Sequence, residues 1–492
     1  MALFQSEDPI RCEMPNSRIS LRQSDISSAK KFLENENWLK NIASYFESHY
    51  KYLGRWWELL GLQQVTIGLP PIPYGNQKIR SQFHVMLRGP PGTGKSTLIY
   101  TIKEVTINPQ ELGDATAAKI AGSIKDGHWV EGEAYRARDG IMLIPELSET
   151  LKSGEYYDES INHFIQIMED QRITKSLSQP FEDLEGEIKK YPGVKFFKDG
   201  RWEYETNTCL ALATWEMNES KLIEKVTAGF YSRVFEIPLN YTREQLFGLL
   251  DNIWKTISNV NEIQSDISTE LIRHAFEVMY LSNKGILADL DFVEFKEVDF
   301  PPSLASDMTE RYKEMIDDIY KDLKIEDEEG AVLPVLIREL LDGFRLAFVD
   351  AIARRFAGTM NEQGIVKVDE RATNVAIEYL KILVHRRVET YKKLSRYIKL
   401  SAVEPELMMS DEFKLIARFR EEGIPASLFY ELCSKGKDYG VSQRTLQRHT
   451  KRLIEDRSIV QIRNPRNARE WLFIASRHYH PEKTSLEILL NT

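Results

Sequence analysis

The sequence predicts an α/β fold, a parallel β-sheet covered by helices, followed by a C-terminal winged-helix unit. Three observations lead to this prediction. From Phe83 onward, short apolar runs alternate with longer stretches of helical periodicity, which is typical of parallel strands joined by helices. A glycine-rich loop at residues 89–96 separates the first of these runs from a helix. Residues 411–480 combine helical segments at 425–434 and 443–454 with strand-like runs at 459–462 and 471–474.

The individual elements are predicted from apolar runs and from their spacing. Strands of the sheet are expected at residues 83–87, 141–144 and 209–213. Helical periodicity is expected at residues 243–283, 333–356 and 369–397. Residues 284–330 are acidic and contain Pro301-Pro302, so we expect them to be irregular. The proline-rich residues 69–73 predict an extended linker, and residues 398–410 a connector.

The composition indicates a globular protein with more than one structural unit. A chain of 492 residues is too long to fold around a single hydrophobic core. Its shares of hydrophobic residues, 42%, and of charged residues, 28%, are ordinary for globular proteins. No apolar run is long enough to span a bilayer, and the first 17 residues lack the apolar block of a signal peptide. The three cysteines are widely spaced, which fits a reducing cytoplasm. A net charge of -10 disfavours a protein that simply coats nucleic acid, although local basic surfaces are compatible with it.

The glycine-rich loop has the sequence and the context of a Walker A motif, because it follows an apolar run and opens a helix. Glycines allow backbone N–H groups to surround phosphates at the positive end of that helix. Lys95 is expected to reach the β- and γ-phosphates of ATP, and Ser96 to place its hydroxyl on Mg²⁺. The residues expected to bind the nucleotide are Gly89, Pro90, Pro91, Gly92, Thr93, Gly94, Lys95, Ser96 and Thr97.

A catalytic carboxylate is expected at the end of a neighbouring strand, where it would order the attacking water. The apolar run 141–144 ends in Pro145-Glu146, so Glu146 is the candidate. A Walker B motif would have aspartate in place of Pro145, and proline carries no charge that could assist Mg²⁺. Two interpretations are open. Either Glu146 and Ser96 suffice for a slow or altered ATPase, or the chain binds nucleotide without effective turnover.

The residues between the glycine-rich loop and Pro145-Glu146 narrow the set of families that the chain resembles. They include Ala115-Thr116-Ala117-Ala118 and Gly127-His128-Trp129-Val130-Glu131-Gly132-Glu133-Ala134-Tyr135-Arg136-Ala137-Arg138-Asp139-Gly140. This stretch resembles the helix-2-insert AAA+ ATPases, which include the MCM replicative helicases and the MoxR and McrB groups. In that clade a β-hairpin interrupts a helix here, and Asp126-Gly127 is a favourable hairpin turn between Ile124 and Trp129. Downstream, Ile165-Gln166-Ile167-Met168-Glu169-Asp170-Gln171-Arg172-Ile173-Thr174 is similar to the MCM segment that introduces the presensor hairpin.

Three features are closer to MCM proteins than to the other groups. Phe230-Tyr231-Ser232-Arg233-Val234-Phe235 is similar to the MCM arginine-finger motif. It implies that Arg233 reaches the ATP site of a neighbouring subunit and stabilises charge at the γ-phosphate. Leu336-Ile337-Arg338-Glu339-Leu340-Leu341-Asp342-Gly343-Phe344-Arg345-Leu346 is similar to the sensor-2 helix, which implies that Arg338 is the sensor-2 arginine and Arg345 a supporting basic residue. The winged-helix-like tail is also common in MCM proteins.

The resemblance covers about residues 83–480 and implies a P-loop AAA+ sheet with a helical lid. The expected division is an N-terminal helical and linker region at 1–80, an ATPase core at 81–240, a lid with an acidic insertion at 241–400 and a winged-helix domain at 411–480. The family further implies a homo-oligomeric ring, of hexameric form, with ATP between subunits. It implies a DNA helicase or replication initiator, with DNA and replication proteins as partners and no membrane.

The chain departs from the MCM pattern in three ways. The oligonucleotide-binding and zinc region that precedes the ATPase in MCM proteins is not expected here, because no cysteine cluster exists. Pro145 replaces the Walker B aspartate. Thr214 stands at the sensor-1 position where the family has asparagine, and its hydroxyl has less reach and one polar group fewer. Asn218, four residues on, is an unaligned alternative. These departures bear on the rate of hydrolysis more than on the architecture.

Basic residues predict DNA contacts in two places. On the second helix and the wing of the tail, the candidates are Arg444, Arg448, Lys451, Arg452, Arg463, Arg466 and Arg469. In the hairpin around Asp199-Gly200, they are Lys195, Lys198 and Arg201, with Phe197 or Trp202 stacking on bases. The alternative for the tail is packing on a protein partner, and the alternative for the hairpin is a solvated surface.

Two other functions are also open. A MoxR-like ATPase would remodel protein partners, and its tail would contact protein. A weakly hydrolysing relative would bind ATP to build a DNA-bound assembly, and Pro145 is the feature that favours it.

Overall fold

The computed structural model describes residues 9–14, 17–50, 52–74, 76–113, 116–147, 157–177, 180–214, 230, 233–239, 241–245, 247–248, 266–290, 292–323, 333–403, 415–416, 424–435, 443–455, 459–464 and 467–475. The chain divides into two compact units, Met1–Glu389 and Thr390–Thr492.

The elements of the first unit are, in chain order, β1 (Ile10–Glu13), β2 (Arg18–Leu21), α1 (Gln23–Leu33), α2 (Trp38–His49), α3 (Gly54–Val65), β3 (Ile72–Tyr74), β4 (Gln77–Ile79), β5 (His84–Arg88), α4 (Lys95–Val105), β6 (Pro109–Glu111), α5 (Ala117–Ala121), β7 (Ser123–Lys125), β8 (His128–Val130), α6 (Glu133–Arg136), β9 (Ile141–Ile144), α7 (Tyr157–Asp170), β10 (Arg172–Ser176), α8 (Leu184–Lys190), β11 (Val194–Phe196), β12 (Arg201–Glu205), β13 (Cys209–Thr214), β14 (Val234–Pro238), α9 (Thr269–Asn283), β15 (Glu297–Asp299), α10 (Pro302–Leu323), α11 (Leu333–Ala353), β16 (Ile365–Lys367) and α12 (Glu370–Val403). Helix α12 runs on into the second unit, whose further elements are β17 (Ile424–Pro425), α13 (Ala426–Lys435), α14 (Gln443–Glu455), β18 (Ile459–Asn464) and β19 (Asn467–Ala475).

A five-stranded parallel sheet lies in the first unit, with the strand order β14–β5–β13–β9–β6. Strands β9 and β13 are buried along their whole length, and β5 is buried except at its last residue. Burial on both faces explains why these strands are continuous apolar runs rather than alternating ones. The predicted parallel sheet is therefore confirmed, and its three predicted strands are correct to within a residue at each end.

Buried polar contacts join α3 to the sheet and α2 to the end of α11. Gln63 on α3 donates from Nε2 to the carbonyl oxygens of Phe83 and Leu210, each at 3.0 Å. Trp38 on α2 donates from Nε1 to the carbonyl oxygen of Ala353 at 3.0 Å. Buried backbone carbonyls need such partners, so α2 and α3 belong to the same folded unit as the sheet.

Residues 69–73 are not a linker, although Ile72 and Pro73 have the predicted extended conformation. Leu69 and Ile72 are buried, and Ile72 begins β3. The carbonyl oxygen of Leu69 accepts hydrogen bonds from Ser81 Oγ at 2.8 Å and from Gln82 Nε2 at 2.9 Å. Proline suits a short two-stranded ribbon, where a missing N–H need not break a ladder. The apolar residues beside the prolines anchor this segment to the core.

Two small antiparallel elements interrupt the α/β pattern. Strands β7 and β8 form a hairpin in which Ile124 pairs with Trp129. Its turn residues Asp126 and Gly127 have φ values of 50° and 73°, which match a type I′ turn, so the predicted two-residue turn is confirmed. Strands β10, β12 and β11 form a three-stranded sheet with β12 in the middle. The aromatic side chains that pack around Trp129 are Tyr135, Tyr191, Phe196, Trp202 and Tyr204.

Helix α10 corrects the expectation that residues 284–330 are irregular, because it is a helix of 22 residues. Pro302 lies in its first turn, where the missing N–H has no helical acceptor to lose. Buried side chains recur along it at helical spacing: Met308, Tyr312, Met315 and Ile319. The proline pair therefore begins a helix instead of excluding one.

In the part of the second unit that the structure describes, α13 and α14 pack with a small antiparallel sheet in the order β17–β19–β18. The predicted helices at 425–434 and 443–454 and the predicted strands at 459–462 and 471–474 are confirmed, with both strands longer than expected. Its core residues are Ile416, Ile424, Phe429, Leu446, Ile459, Phe473 and Ala475. Helix α12 ends at Val403, so the first residues of the predicted connector are helical. Among the described helices, none combines the length and apolar character that a membrane span requires.

Candidate nucleotide site

The loop at residues 89–96, here called the glycine loop, lies at the carboxyl edge of the parallel sheet. Gly89 donates its N–H to the carbonyl oxygen of Thr214 on the neighbouring strand β13 at 3.4 Å. A Cβ atom on Gly89 would lie 2.6 Å from the carbonyl oxygen of Leu239, so only glycine fits this approach. Gly92 and Gly94 have φ values of 82° and 83°, in the left-handed region. The loop therefore needs its glycines both for packing and for its turns.

Carbonyl groups of the glycine loop accept hydrogen bonds from side chains of the same loop. Lys95 Nζ donates to the carbonyl oxygens of Gly89 and Pro90 at 2.7 and 2.8 Å. Thr93 Oγ1 also donates to the carbonyl oxygen of Pro90, at 2.9 Å. In a trans peptide the C=O and the following N–H point in opposite directions, so fixing a carbonyl also fixes the direction of the next N–H.

The start of α4 presents polar groups on the open side of the loop. Ser96 is exposed, and nothing lies within 4 Å of the position that a Cβ on Gly92 would take. The first turn of a helix offers unpaired N–H groups and the positive end of the helix dipole, which together favour an anion. A polyphosphate therefore fits this loop, and the Ser96 hydroxyl fits a magnesium ion that the phosphates carry. The described residues contain no group of His, Cys, Asp and Glu side chains that could bind a metal by itself.

Glu146 and Thr214 reach the same edge of the sheet. In the register of β9 and β13, Ile144 pairs with Leu212, and Glu146 and Thr214 each follow by two residues. Burial lowers the pKa of Lys95, and the Glu146 carboxylate lies close enough to oppose that shift. The Thr214 side chain is fully buried. Three segments that are far apart in sequence thus meet at one edge.

Arg233 lies at the opposite, amino edge of the sheet. It precedes β14, whose first residue Val234 pairs with His84, the first residue of β5. The glycine loop begins after Arg88, the last residue of β5. Roughly 20 Å of extended strand therefore separates the loop from Arg233. Arg233 Nη2 donates to Glu169 Oε1, and the arginine side chain is 14% exposed. Arg233 and the glycine loop of one chain therefore do not form one site.

Of the other arginines suggested by the sequence, Arg345 lies away from the glycine loop. Arg338 has its backbone on α11, and its side chain lies outside the described part of the chain. Arg345 on the same helix donates from Nη1 to the carbonyl oxygen of Gln82 at 3.4 Å and pairs with Asp342 at 3.0 Å. Because Gln82 lies just before β5, Arg345 is also at the amino edge. Asn218, the alternative to Thr214, lies outside the described residues.

The basic side chains of the β11–β12 hairpin are exposed. Lys195 is 78% exposed, and its Nζ lies 3.4 Å from Glu203 Oε1. Lys198 and Arg201 are exposed as well, and the Arg201 guanidinium lies 4.0 Å from the centre of the Phe197 ring. The hairpin therefore presents positive charge to solvent.

The expectation that Trp202 stacks on a base is wrong. Trp202 is fully buried and donates from Nε1 to the carbonyl oxygen of Ala121 at 3.0 Å. Side chains alternate between the two faces of a strand, so an exposed Arg201 places Trp202 in the core.

In the second unit, Arg448 and Lys451 are exposed on one face of α14, and Leu446 and Thr450 are buried on the other. Arg463 on β18 stacks on Trp471 of β19, with the guanidinium carbon 3.8 Å from the ring centre. Of the remaining basic candidates, only the backbone is described for Arg444, Arg452 and Arg469, and Arg466 lies outside the described residues.

Sequence reasoning missed one contact of the glycine loop. Tyr241 donates from Oη to the carbonyl oxygen of Thr93 at 3.0 Å. The chain is brought there by Leu239, whose N–H donates to the carbonyl oxygen of Arg88 at 2.7 Å. Burial and the Glu47 carboxylate raise the pKa of Tyr241 to about 12, so the hydroxyl keeps its proton at neutral pH. The position of Tyr241 just after β14 could have indicated this contact. The carboxyl ends of parallel strands lie at the same edge of the sheet, and the glycine loop lies there too.

No protein-family model matches the chain, and no curated protein matches it significantly. Its residues and their geometry therefore carry the functional inference.

Proposed function

We propose that the chain is an MCM-like AAA+ ATPase, with a P-loop sheet, a helical lid and a C-terminal winged helix. It would assemble as a homo-oligomeric ring, a hexamer by the family resemblance, and couple ATP hydrolysis to movement along DNA. The main support is the meeting of the glycine loop, Glu146 and Thr214 at the carboxyl edge of a parallel sheet. Ligands of open α/β sheets bind at that edge.

Within this proposal, Lys95 exchanges its two loop carbonyls for the β- and γ-phosphates of ATP. Backbone N–H groups of the glycine loop and the first turn of α4 hold phosphate oxygens. Ser96 would give a hydroxyl ligand to the Mg²⁺ that ATP carries, and that ion would supply positive charge at the phosphates. Glu146 accepts a hydrogen bond from the attacking water and so orients it, while Thr214 serves as sensor 1.

Arg233 would act on ATP held by a neighbouring subunit, because it lies at the other edge of the sheet from its own glycine loop. It would then exchange Glu169 for the γ-phosphate of that ATP and stabilise the charge of the transition state. Arg338 is the proposed sensor-2 residue. Each site would be incomplete without the partner copy, which is the physical reason for proposing a ring.

A second function is favoured by Pro145. It leaves the end of β9 with the Glu146 carboxylate where a Walker B motif has two acids. A protein that binds ATP tightly but hydrolyses it slowly would use the nucleotide to assemble on DNA.

The deciding experiment is steady-state ATP hydrolysis by the full chain, with and without single-stranded and forked DNA. The proposal expects turnover that DNA stimulates and that Lys95→Ala and Glu146→Gln abolish. Lys103→Ala is the matched control, because Lys103 lies on the same helix and pairs with Glu111 away from the loop. Nucleotide binding without turnover would support the assembly factor, and absence of nucleotide binding would refute both functions.

DNA binding is tested separately by its salt dependence. The double variant Arg448→Ala/Lys451→Ala is expected to weaken binding and to lower the slope of log K against log salt by about 1.4 to 1.8, for two lost phosphate contacts. Lys313→Ala, an exposed lysine on α10, should leave the slope unchanged. If the wild type binds no DNA and copurifies with a protein partner, a MoxR-like remodelling function gains support.

A further inference from the structure

We propose that Tyr241 is a positioning residue of the nucleotide site, which orients the backbone of the glycine loop for the phosphates. This inference rests on the proposed function. It concerns a residue that touches the loop and not the nucleotide.

The hydroxyl of Tyr241 sets the direction of one peptide in the glycine loop. Tyr241 Oη donates to the carbonyl oxygen of Thr93, and the chain between Thr93 and Gly94 is a trans peptide. The N–H of Gly94 therefore points away from Tyr241. Gly94 is the residue directly before α4, where the N–H groups of a P-loop bind phosphate. The tyrosine hydroxyl thus sets the direction of a donor that the phosphates need.

The peptide between Thr93 and Gly94 needs a restraint from outside the glycine loop. Thr93 lies between Gly92 and Gly94, both with positive φ. Glycine has the greatest backbone freedom of any residue, so these turns do not hold the peptide by themselves. The position of a Cβ on Gly94 is 3.9 Å from Tyr241 Oη, so the phenol also packs closely against the loop.

Tyr241 and Lys95 have different roles at the glycine loop. Both side chains donate to loop carbonyls, but Lys95 must leave its carbonyls to reach a phosphate. Tyr241 has no such second role, so its hydrogen bond persists in the bound and free states. It lowers the cost of ordering the loop before the phosphates arrive, which is preorganisation.

Glu47 and the connection between α2 and α3 lie near Tyr241 and the segment that follows it. Glu47, at the end of α2, accepts the N–H groups of Tyr52 and of Leu53, the latter at 2.8 Å. Tyr52, between α2 and α3, lies against Gly248, so the connection between these helices packs on the segment that follows Tyr241.

The test uses the full chain with Tyr241→Phe, which removes only the hydroxyl. Binding of MgATP and of magnesium tripolyphosphate, by calorimetry or competition, is expected to weaken about five- to tenfold, which corresponds to one lost hydrogen bond. The KM for ATP should rise by the same factor while kcat changes less than twofold. The matched control is Tyr191→Phe, which removes a hydroxyl bonded to the carbonyl oxygen of Trp129 far from the loop. The melting temperature without nucleotide should shift no more in Tyr241→Phe than in this control.

The outcomes are distinguishable. Unchanged affinity in Tyr241→Phe, with wild-type binding intact and Lys95→Ala defective, would overturn the role of Tyr241 alone. A loss for MgATP but not for tripolyphosphate would also overturn it, because the hydroxyl would then act on the nucleoside. If the wild type fails to bind MgATP, or Lys95→Ala binds it equally well, the proposed function fails and this inference fails with it.

Discussion

Arg233 and Glu169 form an ion pair in which the arginine Nη2 donates to the glutamate Oε1. Their side chains are 14% and 34% exposed, so the pair is only partly open to water. It lies at the amino edge of the sheet, whereas the glycine loop lies at the carboxyl edge. One chain therefore carries the two halves of the proposed site at opposite ends of its strands.

Arg233→Ala is expected to lower kcat about a hundredfold or more and to leave MgATP affinity within a few-fold, because the arginine would act on the transition state. Arg273→Ala, on the exposed face of α9, is the control and should have no effect. Mixing Arg233→Ala with Lys95→Ala subunits should restore part of the activity, since some interfaces then combine an intact Lys95 with an intact Arg233. Steady-state turnover of the mixture measures this, and a mixture no more active than its components would contradict action between subunits.

Pro145→Asp is expected to raise kcat several-fold and to lower the magnesium concentration needed for half-maximal turnover. The aspartate would supply a second carboxylate next to Glu146, where it can assist Mg²⁺. Pro145→Asn has a similar shape without the charge and should not have this effect. Turnover measured across a magnesium series distinguishes the two, and equal rates in both variants and the wild type would remove the missing carboxylate as the limit.

Glu277 on α9 is expected to make stability depend on pH. Burial raises its pKa to about 7, even though Arg273 lies 4.0 Å away and opposes the shift. The folded state therefore holds a proton that the unfolded state has lost above its ordinary pKa of 4.5. This contribution is present at acidic pH and is lost as pH rises through about 7.

The variant Glu277→Gln should remove this dependence. Its free energy of unfolding, relative to wild type, should increase as pH rises from 5 to 8, by up to about 3 kcal/mol. Denaturant unfolding at several pH values measures it, with Glu314→Gln, an exposed residue of α10, as the control. Burial also lowers the pKa of His84, but both proteins share that effect, so the difference isolates Glu277. A difference that stays constant across this range would contradict the prediction.

Removal of the buried Arg354 guanidinium is expected to destabilise the first unit. It is 4% exposed and donates to Asp350 at 2.8 Å and to Asp369 at 2.7 Å. Arg354→Ala would leave Asp350 buried without its partner, which should cost about 3 to 5 kcal/mol of unfolding free energy. Urea unfolding measures the loss. Arg311→Ala, a more exposed arginine on α10, should cost less than about 1 kcal/mol, and equal losses in the two variants would contradict this account.

The residues of the glycine loop and the strands around it could be predicted from the sequence because their signals are local. A run such as Ile141–Ile144 is apolar at every position, which a strand buried on both faces requires. Asp126 and Gly127 are suited to positive φ, and the turn formed where they stand. Two local signals are misleading: the prolines at 69–73 predict a linker and Pro301-Pro302 an irregular segment, although buried apolar residues flank or follow them.

Local sequence patterns predict the parallel sheet, the glycine loop at the start of α4 and the helices and strands of the C-terminal unit. Which of the charged and aromatic candidates share an edge of the sheet depends instead on contacts between distant segments. Strand direction and register put Glu146 and Thr214 beside the loop and Arg233 at the far edge, and they placed Trp202 inside the core. The role of Tyr241 depends on the pairing of β14 with β5, which places this residue next to Thr93. The physical reason is that periodicity and turn chemistry act over a few residues, whereas register joins segments that are far apart in the chain.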